Sequence, residues 1–363
     1  MPRPGRTADH ADRARAAARD ALRGSHVSRK PVEIGIGLQS DKAPGRYGEL
    51  AAHAERVGID VVSVFSDLLF QPPVAALLEI ARSTSTVRLG AACWNPFTLH
   101  PYEIAGQFAA IDAESGGRAY LGLAKGTWLD AIGVAQDRPV ARLREAAGHI
   151  RALLRGDGAG FESEFYPLQP GVRLRYPLVR ETAPLLIGAW GPMGVGLAGR
   201  IADEHKVGGA ANPDLVPVMR ERLDAGARRV GRSGDDVRLV FGAVTVVDED
   251  GQAARATARR EVAMYLDAIG ALDPTVEIPD DLAARVRELV ASGDHEAAGA
   301  LIPDDLLDRF AFSGTPEQVA AHAQALIDAG VDRVEFGTPQ GLHDGAAGIA
   351  LIGERVVPLL SRP

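Results

Sequence analysis

From Val32 onward the chain alternates short β-rich apolar runs with helical stretches, and no other feature limits its fold as tightly. The runs span 32–38, 61–65, 87–93, 119–123, 185–189, 205–208, 237–247 and 333–336. Helical patterns fill 45–57, 74–83, 101–114, 140–154, 194–202, 213–230 and 316–329 between and beside them. Short apolar runs separated by helices imply parallel strands buried on both faces. Eight such units suit an α/β fold closed into a (β/α)8 TIM barrel better than an open sheet. Two stretches break the repeat, 156–184 and 273–305. They read as insertions on a single barrel domain (31–363), the second largely helical, with a separate small domain as the alternative. Thr315-Pro316 with Gln318 predicts a capping box at a helix start, and Gly330 the matching stop.

Composition removes several functional classes. With 46% apolar and 24% charged residues, wholesale disorder is excluded. No apolar run is long enough to span a membrane. A net charge of −8 argues against a general nucleic-acid binder, which needs a basic face to displace counterions. Cys93 is the single cysteine, so neither an intrachain disulfide nor a cysteine zinc site can form. The nine histidines lack ligand spacing, and no metal is expected. Residues 1–30 carry eight basic side chains against three acidic ones, with no apolar stretch after them. They read as a solvated N-terminal extension rather than a secretory signal, or as a partner-binding arm. A cytoplasmic enzyme is expected.

In such a barrel, chemistry sits where strands end and loops begin. The third strand ends in Ala91-Ala92-Cys93-Trp94-Asn95-Pro96, where small side chains let a flat ring approach before Asn95-Pro96 breaks the strand. The bland alternative is a tight strand-to-helix turn. The fourth ends in Gly122 and then Lys125-Gly126-Thr127-Trp128, a glycine-flanked loop with a cation suited to an anionic ligand. The fifth ends in Gly188-Ala189-Trp190-Gly191-Pro192-Met193, just before a helix whose free N–H groups favour phosphate. Gly194, Gly196 and Gly199 match a dinucleotide fingerprint, but they lie inside the helix rather than at the strand end and no acidic residue ends a second strand at the expected spacing, so close helix packing is the better reading. Asp67 is a carboxylate closing an apolar strand, either functional or turn-forming. All three tryptophans fall at loop ends, as a stacking rim or as core packing. Gln39, Leu68, Trp94 and Trp128 are the candidates for lining a substrate. No nucleophile elbow or phosphate-binding P-loop occurs, so triad hydrolases and P-loop enzymes lose support. A sugar-phosphate isomerase or aldolase barrel would want a strand-end lysine or a Glu/His pair, for which Lys125 alone offers itself.

Taken together, 89–101, 112–126 with its Glu-Ser-Gly-Gly-Arg core, 188–203 and 312–341 resemble the luciferase-like flavin and deazaflavin oxidoreductases. The similarity is greatest to the coenzyme F420-dependent methylenetetrahydromethanopterin reductase branch, and it covers nearly all of 32–360. The resemblance implies a deazaflavin ring in the barrel mouth, backed by a non-prolyl cis peptide at Ala92–Cys93. It implies the coenzyme phosphate on Gly188, Ala189, Trp190, Gly191, Pro192 and Met193. Asp67 and Asn95 would approach the polar edge of the ring. Gly126, Thr127 and Asp130 would flank it, with Ala91, Gly122 and Lys125 as further cofactor contacts. Three positions depart from the family pattern: Leu68 stands where many relatives have histidine, Thr127 where many have an acid, and Gly37 near a strand-one glutamate of the pterin-reducing enzymes. The implied activity is hydride transfer from reduced coenzyme F420 to an activated C=C or C=N bond of a small molecule, natural product or modified peptide. Asp67, His100 or solvent would supply the proton. The alternatives are an FMN-dependent monooxygenase and a non-catalytic deazaflavin-binding accessory protein. A homodimer is expected.

Overall fold

The structure, a computed structural model, describes residues 31–362. The basic extension 1–30 lies outside them. Each apolar run becomes a parallel strand: β1 Glu33–Leu38, β2 Val61–Phe65, β3 Arg88–Ala92, β4 Leu121–Leu123, β5 Leu185–Gly188, β6 Glu204–Gly208 and β7 Arg238–Val247. A short strand, β8 Ala311–Gly314, precedes β9 Arg333–Gly341. The strand order is β3-β2-β1-β9-β7-β6-β5-β4. Bridges Leu89–Ala119 and Trp94–Leu123 join the two ends, which closes a (β/α)8 barrel. β8 stands off this ring and pairs only with the outer part of β7, residues 244–247. Its four residues follow a helix directly, so neither alternation nor a turn signal marked it.

The helices lie outside the ring and bury their apolar faces in one continuous core with the outward strand faces. The helix Pro316–Asp328 starts at the expected capping box of Thr315 and Gln318, and Gly330 follows with φ 106°. Gly196 and Gly199, on the helix Pro192–Ile201, serve packing. A Cβ on Gly199 would fall 2.2 Å from the Leu223 carbonyl oxygen, and one on Gly226 2.1 Å from that of Gly196. The 156–184 stretch holds only an isolated Phe161–Leu168 bridge. The helices Asp280–Ala291, His295–Ala300 and Asp304–Phe310 pack with the long helix Gly251–Ile269 around a second apolar cluster. Among the described residues no helix is long and apolar enough to cross a membrane.

The barrel interior departs from the expectation of strands apolar on both faces. The outward faces are apolar, but the lumen is charged. Arg88 donates to Glu33 at 2.9 Å and to Glu204 at 2.5 Å. The fully buried Arg333 lies 3.0 Å from Glu204. Higher up, Lys206 pairs with Glu335, which also accepts from Ser63 Oγ at 2.6 Å. Buried charges persist only when paired, because desolvation costs several kcal/mol per ion. The arginines hold Glu204 below the usual carboxylate range, and Lys206 and Arg333 do the same for Glu335, each against the opposing effect of burial. Val61, Tyr120, Leu186 and Val240 fill the space among these charges.

Candidate active site

Above this packed lumen the barrel opens. Val61, Tyr120, Leu186 and Val240 are fully buried, whereas Phe65, Ala92, Gly188, Gly208, Val244 and Pro339 at the upper strand ends are half-exposed. The floor is built from small groups. A Cβ on Gly188 would meet Cys93 Sγ and Ala124 Cβ at 3.3 Å, and one on Gly122 would sit 2.0 Å from the Ala91 carbonyl oxygen. The Ala92–Cys93 peptide is cis. Burial pushes the Cys93 thiol up to about 12, so it is a neutral packing group rather than a nucleophile.

The loop after β5 forms one side. Ala189 N–H is used within the barrel, donating to the Lys206 carbonyl at 3.2 Å. The N–H groups of Trp190, Gly191, Met193 and Gly194 have no such partner. Gly191 and Met193 are exposed, and the space beside Gly191 is open. The loop is held rigid from below: Trp190 Nε1 donates to the Gly208 carbonyl at 3.1 Å, and Arg222 donates to the Trp190 carbonyl at 2.8 Å. Fixed bare amides at a helix start make an anion cradle.

The opposite side is acidic and amphipathic. Burial raises the Asp67 carboxyl above its usual range, against the lowering influence of Gln39 and Lys206. Its carboxylate takes no turn hydrogen bond; only the backbone carbonyl does, from Phe70 N–H at 3.4 Å. Gln39, 5% exposed, lies beside it with neither carboxamide atom in hydrogen-bond geometry. Leu68 is half-buried here, while Leu69 and Phe70 project into solvent. Lys125, Thr127 and Asp130 are exposed on the loop after β4, where Gln136 Nε2 ties down the Lys125 and Gly126 carbonyls. Trp128 stands 40% exposed on the same loop.

Three sequence-derived candidates serve the scaffold instead. Trp94, taken as a substrate-lining ring, is 2% exposed and packs in the core, because its N–H and carbonyl stitch β3 to β4. His100, taken as a proton donor, caps the helix Pro101–Glu114: its Nδ1 accepts from Tyr102 N–H at 3.1 Å, and its ring sits edge-on to His149. Asn95 Oδ1 is committed to the turn, accepting from Phe97 N–H, Thr98 N–H and Thr98 Oγ1, which leaves only its amide nitrogen toward Gly126.

The sequence reading missed one contributor altogether. Tyr265, on the 251–269 helix, brings its ring to 6.1 Å from that of Trp128. Its hydroxyl is pushed up to about 12 by burial and then by the charges of Asp67, Glu261 and Asp41. Nothing in the local sequence marks it, since a tyrosine on an amphipathic helix is ordinary.

Comparison with known proteins agrees with this geometry. The model of the luciferase-like monooxygenase family matches residues 26–333. A 5,10-methylenetetrahydromethanopterin reductase of Archaeoglobus fulgidus is 31% identical, over 87% of this chain and 96% of the relative. An F420-dependent glucose-6-phosphate dehydrogenase of Kineococcus radiotolerans is 29% identical, over 91% and 98%. The structure of the coenzyme F420-dependent tetrahydromethanopterin reductase from Methanopyrus kandleri superposes with a TM-score of 0.84 at 26% identity, covering 92% of this chain and all of that one.

Proposed function

The chain belongs to the luciferase-like monooxygenase family, and from that premise we propose that it is a coenzyme F420-dependent reductase acting on an activated C=C or C=N bond of a small organic or peptide substrate. The Kineococcus relative and the Methanopyrus structure are named for coenzyme F420. The observation that carries the reading is the set of unpaired amides at Trp190, Gly191, Met193 and Gly194, fixed at the rim of an open barrel mouth.

The residues fit the coenzyme. The cradle takes the phosphate of its tail, and Gly188, Gly122, Ala91, Ala92 and Cys93 leave a thin floor for a flat ring. Bound there in reduced form, the coenzyme supplies a hydride. The protein's part is orientation and exclusion of water. Asp67 stands at the ring edge, its proton retained more firmly than in an ordinary aspartate because of burial. Trp128 and Tyr265 wall the mouth above, where a substrate must lie to face the ring.

The test is an anaerobic titration with reduced and oxidised coenzyme F420 and with FMN, followed by turnover on a panel of conjugated carbonyls and imines. Coenzyme F420 binding with turnover in the absence of oxygen is the expected result. Tighter binding of FMN with a strict oxygen requirement makes the protein a monooxygenase. Binding of coenzyme F420 with no turnover across the panel favours an accessory role.

A further inference from the structure

Among the described residues, four that are not glycine hold a left-handed backbone: Leu69 (φ 72°), Trp128 (φ 59°), Arg138 (φ 50°) and Gln340 (φ 66°). That conformation is unfavourable for side chains other than asparagine and aspartate, so it persists where something compensates. For two of the four the compensation is visible. Gln340 Nε2 donates to the Gly37 carbonyl at 2.7 Å, and Arg138 donates to Glu164 at 2.6 Å. Leu69 and Trp128 gain nothing of this kind. Leu69 is 91% exposed, and Trp128 holds its exposed ring against Tyr265.

The barrel relates these two positions. Leu69 follows β2 and Trp128 follows β4, and these strands flank β3, whose upper end belongs to the thin floor of the mouth. Two sheet spacings separate β2 from β4, so the loops rise about 10 Å apart on either side of that floor. Each loop is pinned near its base, by Gln71 N–H donating to the Ser40 carbonyl at 3.0 Å and by Gln136 Nε2 donating to the Gly126 carbonyl at 3.1 Å. The 251–269 helix completes the β4 side: Ile269 packs over Gly209 at the end of β6, and Tyr265, one turn earlier on the same face, meets Trp128. On the β2 side apolar groups follow one another outward, with Phe65 and Leu68 half-buried and Leu69 and Phe70 exposed.

We propose that Leu69, Phe70, Trp128 and Tyr265 form an apolar collar that selects the substrate, and that the substrate carries a small polar reacting group on an apolar body leaving the barrel between these two loops. The proposal rests on the reductase reading for the reacting end and extends it to the part of the substrate beyond the coenzyme. Large apolar side chains held in solvent at the rim of a concave site gain contact when such a body covers them. A net charge of −8 disfavours an anionic lipid surface as the occupant.

The test measures binding of two methyl ketones, 2-pentanone and 2-nonanone, with oxidised coenzyme F420 present and without it, by calorimetry and by tryptophan fluorescence. The longer ketone is expected to bind about thirtyfold tighter. Asparagine tolerates the left-handed backbone but removes the apolar surface. In Leu69→Asn and in Trp128→Asn the ratio should therefore fall to about tenfold or less, while the unfolding midpoint of Leu69→Asn should hold or rise. Equal binding of the two ketones by the wild type, a ratio unchanged in either variant, or a lowered midpoint in Leu69→Asn overturns the proposal. So does Leu69-dependent sedimentation with phosphatidylcholine vesicles, which would make the collar a membrane contact. Failure of the wild type to bind coenzyme F420 removes the reductase reading, while the ketone ratios measured without coenzyme still report on the collar.

Discussion

Arg118 and Gln39 stand at opposite ends of one barrel and are used in opposite ways. Arg118 enters below β4 and donates to the carbonyls of Ala81, Thr84, Val87 and Ser115 and to Thr84 Oγ1. Arg180 does similar work on Asp112 and the Ala119 carbonyl, and Glu55 collects the N–H groups of Ser85, Thr86 and Val87. Gln39, at the mouth, is more deeply buried than Arg118, Arg180 or Glu55, yet neither of its carboxamide atoms is in hydrogen-bond geometry. The Trp190–Gly194 loop likewise withholds its amides from the protein. A buried polar group left unpaired costs about 1–3 kcal/mol; the lower lumen bears some of that cost too, since Arg333 is held by ion pairs without hydrogen-bond geometry, but at the mouth the free amide of Gly191 lies beside open space. Unspent hydrogen bonds are what a ligand can take up.

The comparison can be broken most forcefully from below. Arg333→Ala leaves Glu204 and Glu335 without their shared cation, and a loss of about 3–5 kcal/mol in urea unfolding is expected. A loss under about 1 kcal/mol would mean that the lower charges are solvated rather than structural. At the mouth, Gly191→Asp places an anion where space is open. The coenzyme dissociation constant should rise about a hundredfold with the unfolding midpoint unchanged. An unchanged affinity moves the phosphate elsewhere. Gln39→Leu replaces an unsatisfied amide by an apolar isostere and should raise stability by about 1 kcal/mol while raising KM for substrate. Destabilisation would show that Gln39 is already paired in solution.

The smallest effects concern acid, and the two ends should differ in sign. Burial pushes the Glu55 carboxyl up, but the hydrogen bonds from Thr86, Ser85 and Val87 outweigh it and lower it to about 2. Its stabilisation is therefore complete above the unfolded value and is lost as pH falls from about 4.5 toward 2. Glu55→Gln should flatten that limb by roughly 1 kcal/mol once solvent screening is allowed for. Asp67 is raised by burial, so its ionisation weakens the fold as pH climbs past the unfolded value. Asp67→Asn should shift the neutral-pH melting midpoint upward and leave the acidic one unmoved. The same sign for both variants at neutral pH would erase the distinction between the ends.

Much of this was legible locally. Strand alternation, the Thr315 cap and the glycine loop before Pro192 depend on neighbours within a few residues, so the sequence carries them directly. A further signal went unread: Glu33, Arg88, Glu204, Lys206, Arg238, Arg333 and Glu335 are charges set inside apolar runs, and in 204–206 and 333–335 they alternate at a period of two. That alternation marks one strand face as a polar lumen. β8 was missed because four residues cannot establish a period. Trp94 and His100 were misread because residue type at a loop end does not reveal whether the side chain turns inward, outward or back onto its own helix.

By itself, then, the sequence determined the barrel, the end of it that opens, and the glycine loop before Pro192, since each follows from backbone propensity and near-neighbour capping. Tertiary packing alone decided that Tyr265 would stand within reach of the charge of Asp67 and set its ring against Trp128, that Lys206 would spend its charge on Glu335, and that the Gln39 carboxamide would lie outside hydrogen-bond geometry. Those outcomes depend on distances between segments far apart along the chain, and a one-dimensional pattern holds no record of which charges will meet and which will be left for a ligand.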